Sequence, residues 1–215
     1  MLSTNKIYYN NNKSYWHDIS TFYNTTPLIL NFVVEIPAHT KEKMEVSKEI
    51  KNNPIVLDRL YKSSIPFTYG CIPRTYEDPK TLDPILNIYG DDDPLDACDI
   101  TNLIYDTLLT DTKYVSSKTG DVGQVVIIGM LAIIDLKHAD WKLIVIDMAT
   151  YYKCINGLHL TKQELFNDHI KNVVKLWYEA DPKSEVGEFY DDDITIIKII
   201  EHSTNSYNNL QYINI

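Results

Sequence analysis

Between Tyr89 and Ile100 the chain reads Tyr-Gly-Asp-Asp-Asp-Pro-Leu-Asp-Ala-Cys-Asp-Ile, which puts five carboxylates (Asp91, Asp92, Asp93, Asp96 and Asp99) inside nine residues. Pro94 stands among them and forbids a continuous helix, because it has no N–H and its ring clashes with the preceding turn. The carboxylates therefore sit on an extended or turned segment, where alternation lets Asp91 and Asp93 point the same way. Leu95, Ala97, Cys98 and Ile100 can hold the segment against a core. Carboxylates fixed this close repel one another unless cations neutralise them. Hard oxygen donors of this kind suit Mg²⁺ or Mn²⁺. A solvated acidic loop is the other reading of the stretch taken alone. An EF-hand loop is excluded: with Asp91 as the first ligand, Asp96 falls where glycine is needed and Asn102 where glutamate is needed. No Gly-x-x-x-x-Gly-Lys loop is present to cradle a nucleotide.

Composition narrows the class. A chain of 215 residues can bury a sizeable core, and residues 1–215 read as one domain, with residues 1–27 as an N-terminal arm that could hold one hairpin. The net charge of −10 argues against nucleic acid or an anionic membrane as partner, and against an anionic substrate unless metal ions mediate. The longest apolar run, Val125 to Ile134, is too short to span a bilayer. The first residues lack the apolar core of a signal peptide, and Arg59 is the first arginine, so a cytoplasmic location is expected. Three scattered cysteines (Cys71, Cys98 and Cys154) read as reduced packing residues.

The hydrophobic pattern is β-rich first and helical afterwards. Leu28 to Ile36 is a strand stopped by Pro37, with Glu35 at its end. Lys43 and Glu45 share a face of the next strand, and Asp58-Arg59-Leu60 follows another. Gln124 to Asp135 is a long strand in which Gly129 allows a bend, and Trp141 to Asp147 is the one after it. A four-residue hairpin loop, Leu136 to Ala139, places Asp135 directly across from Asp140, and Lys142 on the same face as Asp140. Two facing carboxylates destabilise a hairpin unless a cation lies between them. Thr161 to Glu164 is a capping box that opens a helix with Leu165, His169, Val173 and Trp177 on its core face. Asp191 to Asp193 reads as the N-cap of a second helix carrying Ile196, Ile197 and Ile200.

The spacing Asp91-x-Asp93-Pro94-Leu95-Asp96 resembles the Asp-x-Asp-Pro-apolar-Asp signature of the family I soluble inorganic pyrophosphatases. Several other segments are similar to that family, in its eukaryotic form. They are Ser14 to Ile19, the Glu35-Ile-Pro strand end, Lys43-x-Glu45, Arg59, Pro66 to Pro79 with Tyr69-Gly70, and Asp135 followed by Asp140-x-Lys142. The likeness runs over roughly residues 14–210. Three places depart from it. Thr68 stands where the family has an Asn before Tyr-Gly. Where the family has a Tyr-Lys pair this chain has Tyr178-Glu179, with Lys175 and Lys183 nearby, and the Arg-Trp pair that fungal members use in dimer contact reads Ala38-His39.

The resemblance implies a closed antiparallel β-barrel, OB-like with a five-stranded core, flanked by two C-terminal α-helices. It implies Mg²⁺-dependent hydrolysis of inorganic pyrophosphate to two orthophosphates by a metal-bridged hydroxide. Asp91, Asp96 and Asp140 would hold one Mg²⁺, and Asp96 would share a second. Asp93 would be the general base. Asp135, Glu35 and Glu45 would support further metals, and Lys43, Arg59, Tyr69, Lys142 and Tyr178 would bind phosphates. An Arg fork suits that task through two parallel charged hydrogen bonds. A homo-oligomer, with a dimer favoured, is implied as well. The altered Tyr178-Glu179 motivates an alternative, a catalytically weakened metal- and phosphate-binding relative with a regulatory or scaffolding role. A structural Ca²⁺-binding domain is a third reading, against which the base Asp93 within the ligand set counts.

Overall fold

The computed structural model describes residues 6–110 and 114–213. Its elements run β1 (Ile7–Tyr8), β2 (Phe22–Thr25), β3 (Leu28–Ile36), β4 (Glu42–Val46), β5 (Ile55–Leu60), β6 (Thr68–Cys71), β7 (Asp96–Asp99), α1 (Thr101–Thr107), β8 (Val122–Asp135) and β9 (His138–Asp147). They continue as α2 (Met148–Tyr152), a wide helical turn (Lys153–Gly157), α3 (Lys162–Leu165), α4 (Asp168–Glu179), β10 (Ser184–Tyr190) and α5 (Asp193–Ile213). The chain is thus mainly β, with its longer helices near the C-terminus. No helix among the described residues is long and apolar enough to cross a membrane.

Seven strands form one sheet in the order β10-β8-β9-β7-β6-β3-β2, and a further β3–β8 pairing links its two arms. Hydrogen bonds therefore run in a ring from β3 through β6, β7, β9 and β8 back to β3. The expectation of a wholly antiparallel arrangement needs correcting, because β7 and β9 run parallel from Asp96↔Lys142 to Asp99↔Val145. The connection between them passes through α1 and the whole of β8, long enough for a crossover, which a parallel pair requires. A second sheet, β1-β5-β4, stands beside the ring.

Strand alternation sorts the core into two layers. Leu95 just before β7, and Ala97, Trp141, Leu143 and Val145 on β7 and β9, face outward, where Ile196, Ile199 and Ile200 of α5 cover them. Cys98, Ile144 and Ile146 face into the ring with Val33, Leu131 and Ile133. The same period of two puts Asp96, Asp140 and Lys142 on the inward face, at one end of the ring. Burying a side chain the size of Leu or Ile stabilises by about 1.5–3 kcal/mol, so these two layers are the main force holding the strands in register.

Local detail departs from expectation in three places. The N-terminal arm is tied to the body, since β1 joins β5 and β2 joins β3, and its own hairpin is a single antiparallel bridge, Asn10↔Lys13. Trp16 lies buried between them and donates Nε1–H to the Thr75 carbonyl at 2.9 Å. The β8–β9 turn has two residues rather than four, Leu136 and Lys137, with φ of 48° and 74°. That pattern fits the strand twist of a tight hairpin, but its usual Asn-Gly signal is missing from the sequence. The pairing is therefore Asp135↔His138 and Ile133↔Asp140, so Asp135 and Asp140 are diagonal neighbours on one face, not directly opposite. The helix expected from Thr161 is broken: the capping box is present, but α3 stops at Leu165 and Asn167 caps a new helix by accepting from the His169 and Ile170 N–H groups. The restart resets the phase, so Ile170 and Val174 are buried and His169 is exposed.

Asp58-Arg59-Leu60 belongs to β5 rather than following it. Within β8, Gly129 sits at a register shift, and a Cβ there would lie 2.6 Å from the Phe166 ring. The three cysteines are free and buried, as expected.

Candidate active site

The acidic stretch is held by backbone before any side chain acts. Gly90 N–H donates to the Asp78 carbonyl at 3.2 Å, Asp92 N–H to that of Glu77 at 2.9 Å, and Glu77 N–H to that of Asp93 at 2.8 Å. Gly90 is required by this close approach, since a Cβ would fall 2.3 Å from the Glu77 carbonyl carbon. Asp92 has φ of 76°, a left-handed turn that Asp tolerates better than most residues. The turn departs from plain alternation. Asp92 binds the Tyr76 hydroxyl and Lys48, while Asp99 accepts from Thr101 N–H at 2.9 Å, so these two carboxylates serve the local fold.

Asp91 turns toward β9. Carboxylate oxygens of Glu77, Asp91 and Asp140 lie within 4.8 Å of one another. Glu77 and Asp140 are buried, and Asp91 is half-buried. Burial, reinforced by the neighbouring charges of Asp140 and Asp93, pushes the Asp91 carboxyl up to about 9. Burial, then the charges of Asp91 and Asp140, raises Glu77 well above the carboxylate range. Glu77 Oε1 accepts from Trp141 N–H at 3.1 Å, and its Oε2 is buried without a partner. An orphaned buried oxygen among three converging carboxylates is the donor chemistry a hard divalent cation needs. Glu77 is the residue the sequence reading missed. Its signal was present in the Tyr76-Glu77-Asp78-Pro79 segment, where Glu77 lies 14 residues before Asp91 in the chain.

Lys142 links this cluster to a second one. It is buried, 3% exposed, and donates to Asp140 and to Asp96, the latter at 2.5 Å, and to the Tyr69 hydroxyl at 3.1 Å. Tyr69 in turn donates to Asp96. Burial works against the Lys142 charge, but Asp140 and Asp96 outweigh it and raise its pKa well above the ordinary value. Burial raises Asp140 to about 6, against the pull of Lys142. Asp135 sits at the edge of this group, half-buried, with the Ser184 hydroxyl 3.5 Å away.

Asp96 also faces a cleft of about 190 Å³ lined by Glu35, Lys43, Glu45, Lys48, Tyr69 and Asp93, among others. Glu35 is buried and accepts Val46 N–H at 2.6 Å, and burial, followed by the Asp96 charge, raises its pKa well above normal. Lys43 bonds Glu45 at 2.7 Å, the same-face pair expected of the strand. Asp93 is exposed at the cleft wall and pairs with Lys48 at 2.8 Å, a partner not expected from the sequence. Arg59 is exposed and pairs directly across β4–β5 with Lys43, outside the residues that line the cleft. A larger hollow of about 320 Å³ beside Thr161 and Phe166 holds none of these groups.

Tyr178 points inward rather than to the cleft. Its hydroxyl lies 3.1 Å from Cys98 Sγ, and its ring centroid is 5.9 Å from the Lys142 ammonium. Glu179 is exposed and faces Lys175 at 3.8 Å. Neither Lys175 nor Lys183 lines the cleft. The structure thus brings the expected residues to one end of the ring, with Tyr178 behind Lys142 and Asp135 and Arg59 at the margins.

The sequence profile of the inorganic pyrophosphatase family matches residues 32–208. An inorganic pyrophosphatase from Schizosaccharomyces pombe is 39% identical over 146 residues, covering 63% of this chain and 46% of the relative. The chain therefore spans about half the length of the curated relatives it matches. Among solved structures, the inorganic pyrophosphatase of Schistosoma japonicum superposes with a TM-score of 0.75 at 25% identity, covering 96% of this chain and 80% of that one. The type I inorganic pyrophosphatase from P. falciparum gives 0.73 at 28% identity, covering 93% and 64%. With the family profile matched over most of its length, the chain belongs to the inorganic pyrophosphatase family.

Proposed function

We propose that the chain hydrolyses inorganic pyrophosphate to two orthophosphates at the end of the strand ring, which we read as a closed, five-stranded, OB-like barrel. The observation that carries the reading is the joining, through Lys142, of a largely buried carboxylate trio to a cleft with cationic and acidic walls. Carboxylates alone would repel a diphosphate, and cations alone would bind it without attacking it. Glu77, Asp91 and Asp140 would hold Mg²⁺, with Asp96, Asp135, Glu35 and Glu45 as further ligands. When bound, such ions neutralise the anionic substrate and acidify water. Lys43, Arg59, Tyr69 and Lys142 orient the two phosphoryl groups, and Tyr178 packs behind Lys142. Asp93 stands at the cleft wall and takes the proton of the attacking water. The reading extends to residues 1–215 acting as one domain and to a homodimer in the cytoplasm that engages neither nucleic acid nor membrane.

Phosphate release from pyrophosphate with and without Mg²⁺ tests this reading. Release that depends on Mg²⁺ is expected. Its absence, with metal and diphosphate still bound, would leave a non-catalytic relative. Glu77→Gln is expected to weaken Mg²⁺ or Mn²⁺ binding by about 10–100-fold in calorimetry, the range typical for groups that tune a metal site. Unchanged affinity would remove Glu77 from the ligand set.

A further inference from the structure

Lys43 and Arg59 are the cations given above to the substrate, yet both already hold an anion of the chain. Lys43 Nζ lies 3.3 Å from Asp58 Oδ2, and Arg59 Nη1 donates to the same oxygen at 2.5 Å. The backbone arranges this. The β4–β5 register pairs Lys43 with Arg59 and then Met44 with Leu57, so Asp58 is the extra residue of a bulge. In a regular strand Asp58 and Arg59 would face opposite sides. A bulge sets two successive residues against one on the partner strand and re-aims their side chains. One Asp58 oxygen thereby reaches both cations.

We propose that Asp58 is an internal counter-anion that sets the anion affinity and charge selectivity of the cleft. It occupies the Lys43–Arg59 pair until a phosphate group displaces it. This rests on the reading of Lys43 and Arg59 as phosphate-binding residues. The competition has a direction. A carboxylate offers one negative charge and two oxygens. A phosphoryl group offers up to two charges and three oxygens, and forms stronger charge-assisted bonds to a guanidinium and an ammonium together. A multiply charged phosphate displaces Asp58 with net gain, whereas a monoanion of similar size exchanges one charge for another and gains little. Asp58 therefore holds ordinary monoanions out of the cleft, and it lowers the affinity for phosphate as it does so.

The test is calorimetric titration of the full chain with methylenediphosphonate, a non-hydrolysable diphosphonate, in metal-free buffer. Asp58→Asn is expected to bind about three- to tenfold tighter, the effect of removing one competing charge at about 4 Å in a wet cleft. Glu49→Gln, which removes a charge from the same cleft wall outside the Lys43–Arg59 pair, is expected to change affinity less. Adding Arg59→Gln to Asp58→Asn is expected to remove most of the gain. Asp58→Ser repeats the test should Asp58→Asn fold poorly. Unchanged or weaker binding by both Asp58 variants overturns the proposal. So does an equal gain from Glu49→Gln, or a gain that survives loss of Arg59, or no binding by any of the proteins. Since the readout is affinity and not turnover, a chain without hydrolytic activity would still answer the question about Asp58.

Discussion

We expect Asp93→Asn to lower Mg²⁺-dependent phosphate release by about 10²–10⁴-fold, the usual contribution of a positioned general base. The substitution keeps the shape and hydrogen-bonding reach of the side chain and removes its ability to accept a proton. Little stability is at stake. Asp93 is exposed, its side chain pairs with Lys48 at 2.8 Å, and exposed ion pairs contribute about 0–1 kcal/mol. Its backbone N–H still donates to Asp91 Oδ1 at 3.1 Å, so the loop geometry is retained. The neighbouring Asp92→Asn is the control, because Asp92 pairs with Tyr76 and with the same Lys48 but does not itself line the cleft. Rate, melting temperature and Mg²⁺ affinity should be measured together. A rate close to wild type would remove Asp93 from proton transfer. A lost rate together with lost Mg²⁺ binding would make it a ligand instead.

Much of this site could be read from the sequence, and what escaped has definite causes. Period-two alternation is a local rule, so it correctly placed Asp140 with Lys142 and Lys43 with Glu45. The Leu28 to Ile36 strand was legible to the residue, because a β-branched run ended at Pro37. Alternation failed at Asp92, where a left-handed turn sends Asp91 toward Glu77 and leaves Asp93 on the cleft. It failed again at Asp58, where a bulge inserts one residue that no composition cue announces. The position of Asp135 was misjudged because Leu136 and Lys137 adopt positive φ without the glycine or asparagine that usually signals a two-residue turn. Helix phase was lost at Asn167, whose capping role is plain only once the break after Leu165 is seen. Glu77 is a different case. It enters the trio through the backbone clamp of residues 77–78 on residues 90–93, a tertiary pairing that periodicity cannot reach. The parallel β7–β9 pair is likewise a property of topology, since strand pattern does not encode direction.

The largest structural effect is expected at Lys142. Among the described residues it is the one Lys or Arg that pairs with Asp96 and Asp140, and it is itself buried. Lys142→Met keeps most of the apolar stem and deletes the charge. In the absence of divalent metal this leaves two carboxylates with no cationic partner in a partly dehydrated site. Breaking a buried pair from one side costs about 3–5 kcal/mol. For a chain of this size that corresponds to a fall in melting temperature of roughly 10 °C. The same substitution removes competition for the carboxylates. Asp140 and Asp96 are then held only by whatever cation the solvent provides, so Mg²⁺ binds the folded state with greater linkage to stability. The two effects make one measurable pattern. In chelator the variant melts far below wild type, and in excess Mg²⁺ the gap narrows, because bound metal replaces the missing ammonium. Phosphate release stays low in either case, since the ammonium at the junction of the two clusters would also contact the substrate. A gap that is the same with and without Mg²⁺ would mean that Lys142 is a packing residue whose charge the carboxylates do not need, and the metal assignment of Asp140 would fall with it. A gap that closes with Mg²⁺ but not with Na⁺ at equal ionic strength would tie both carboxylates to divalent cations without relying on turnover at all.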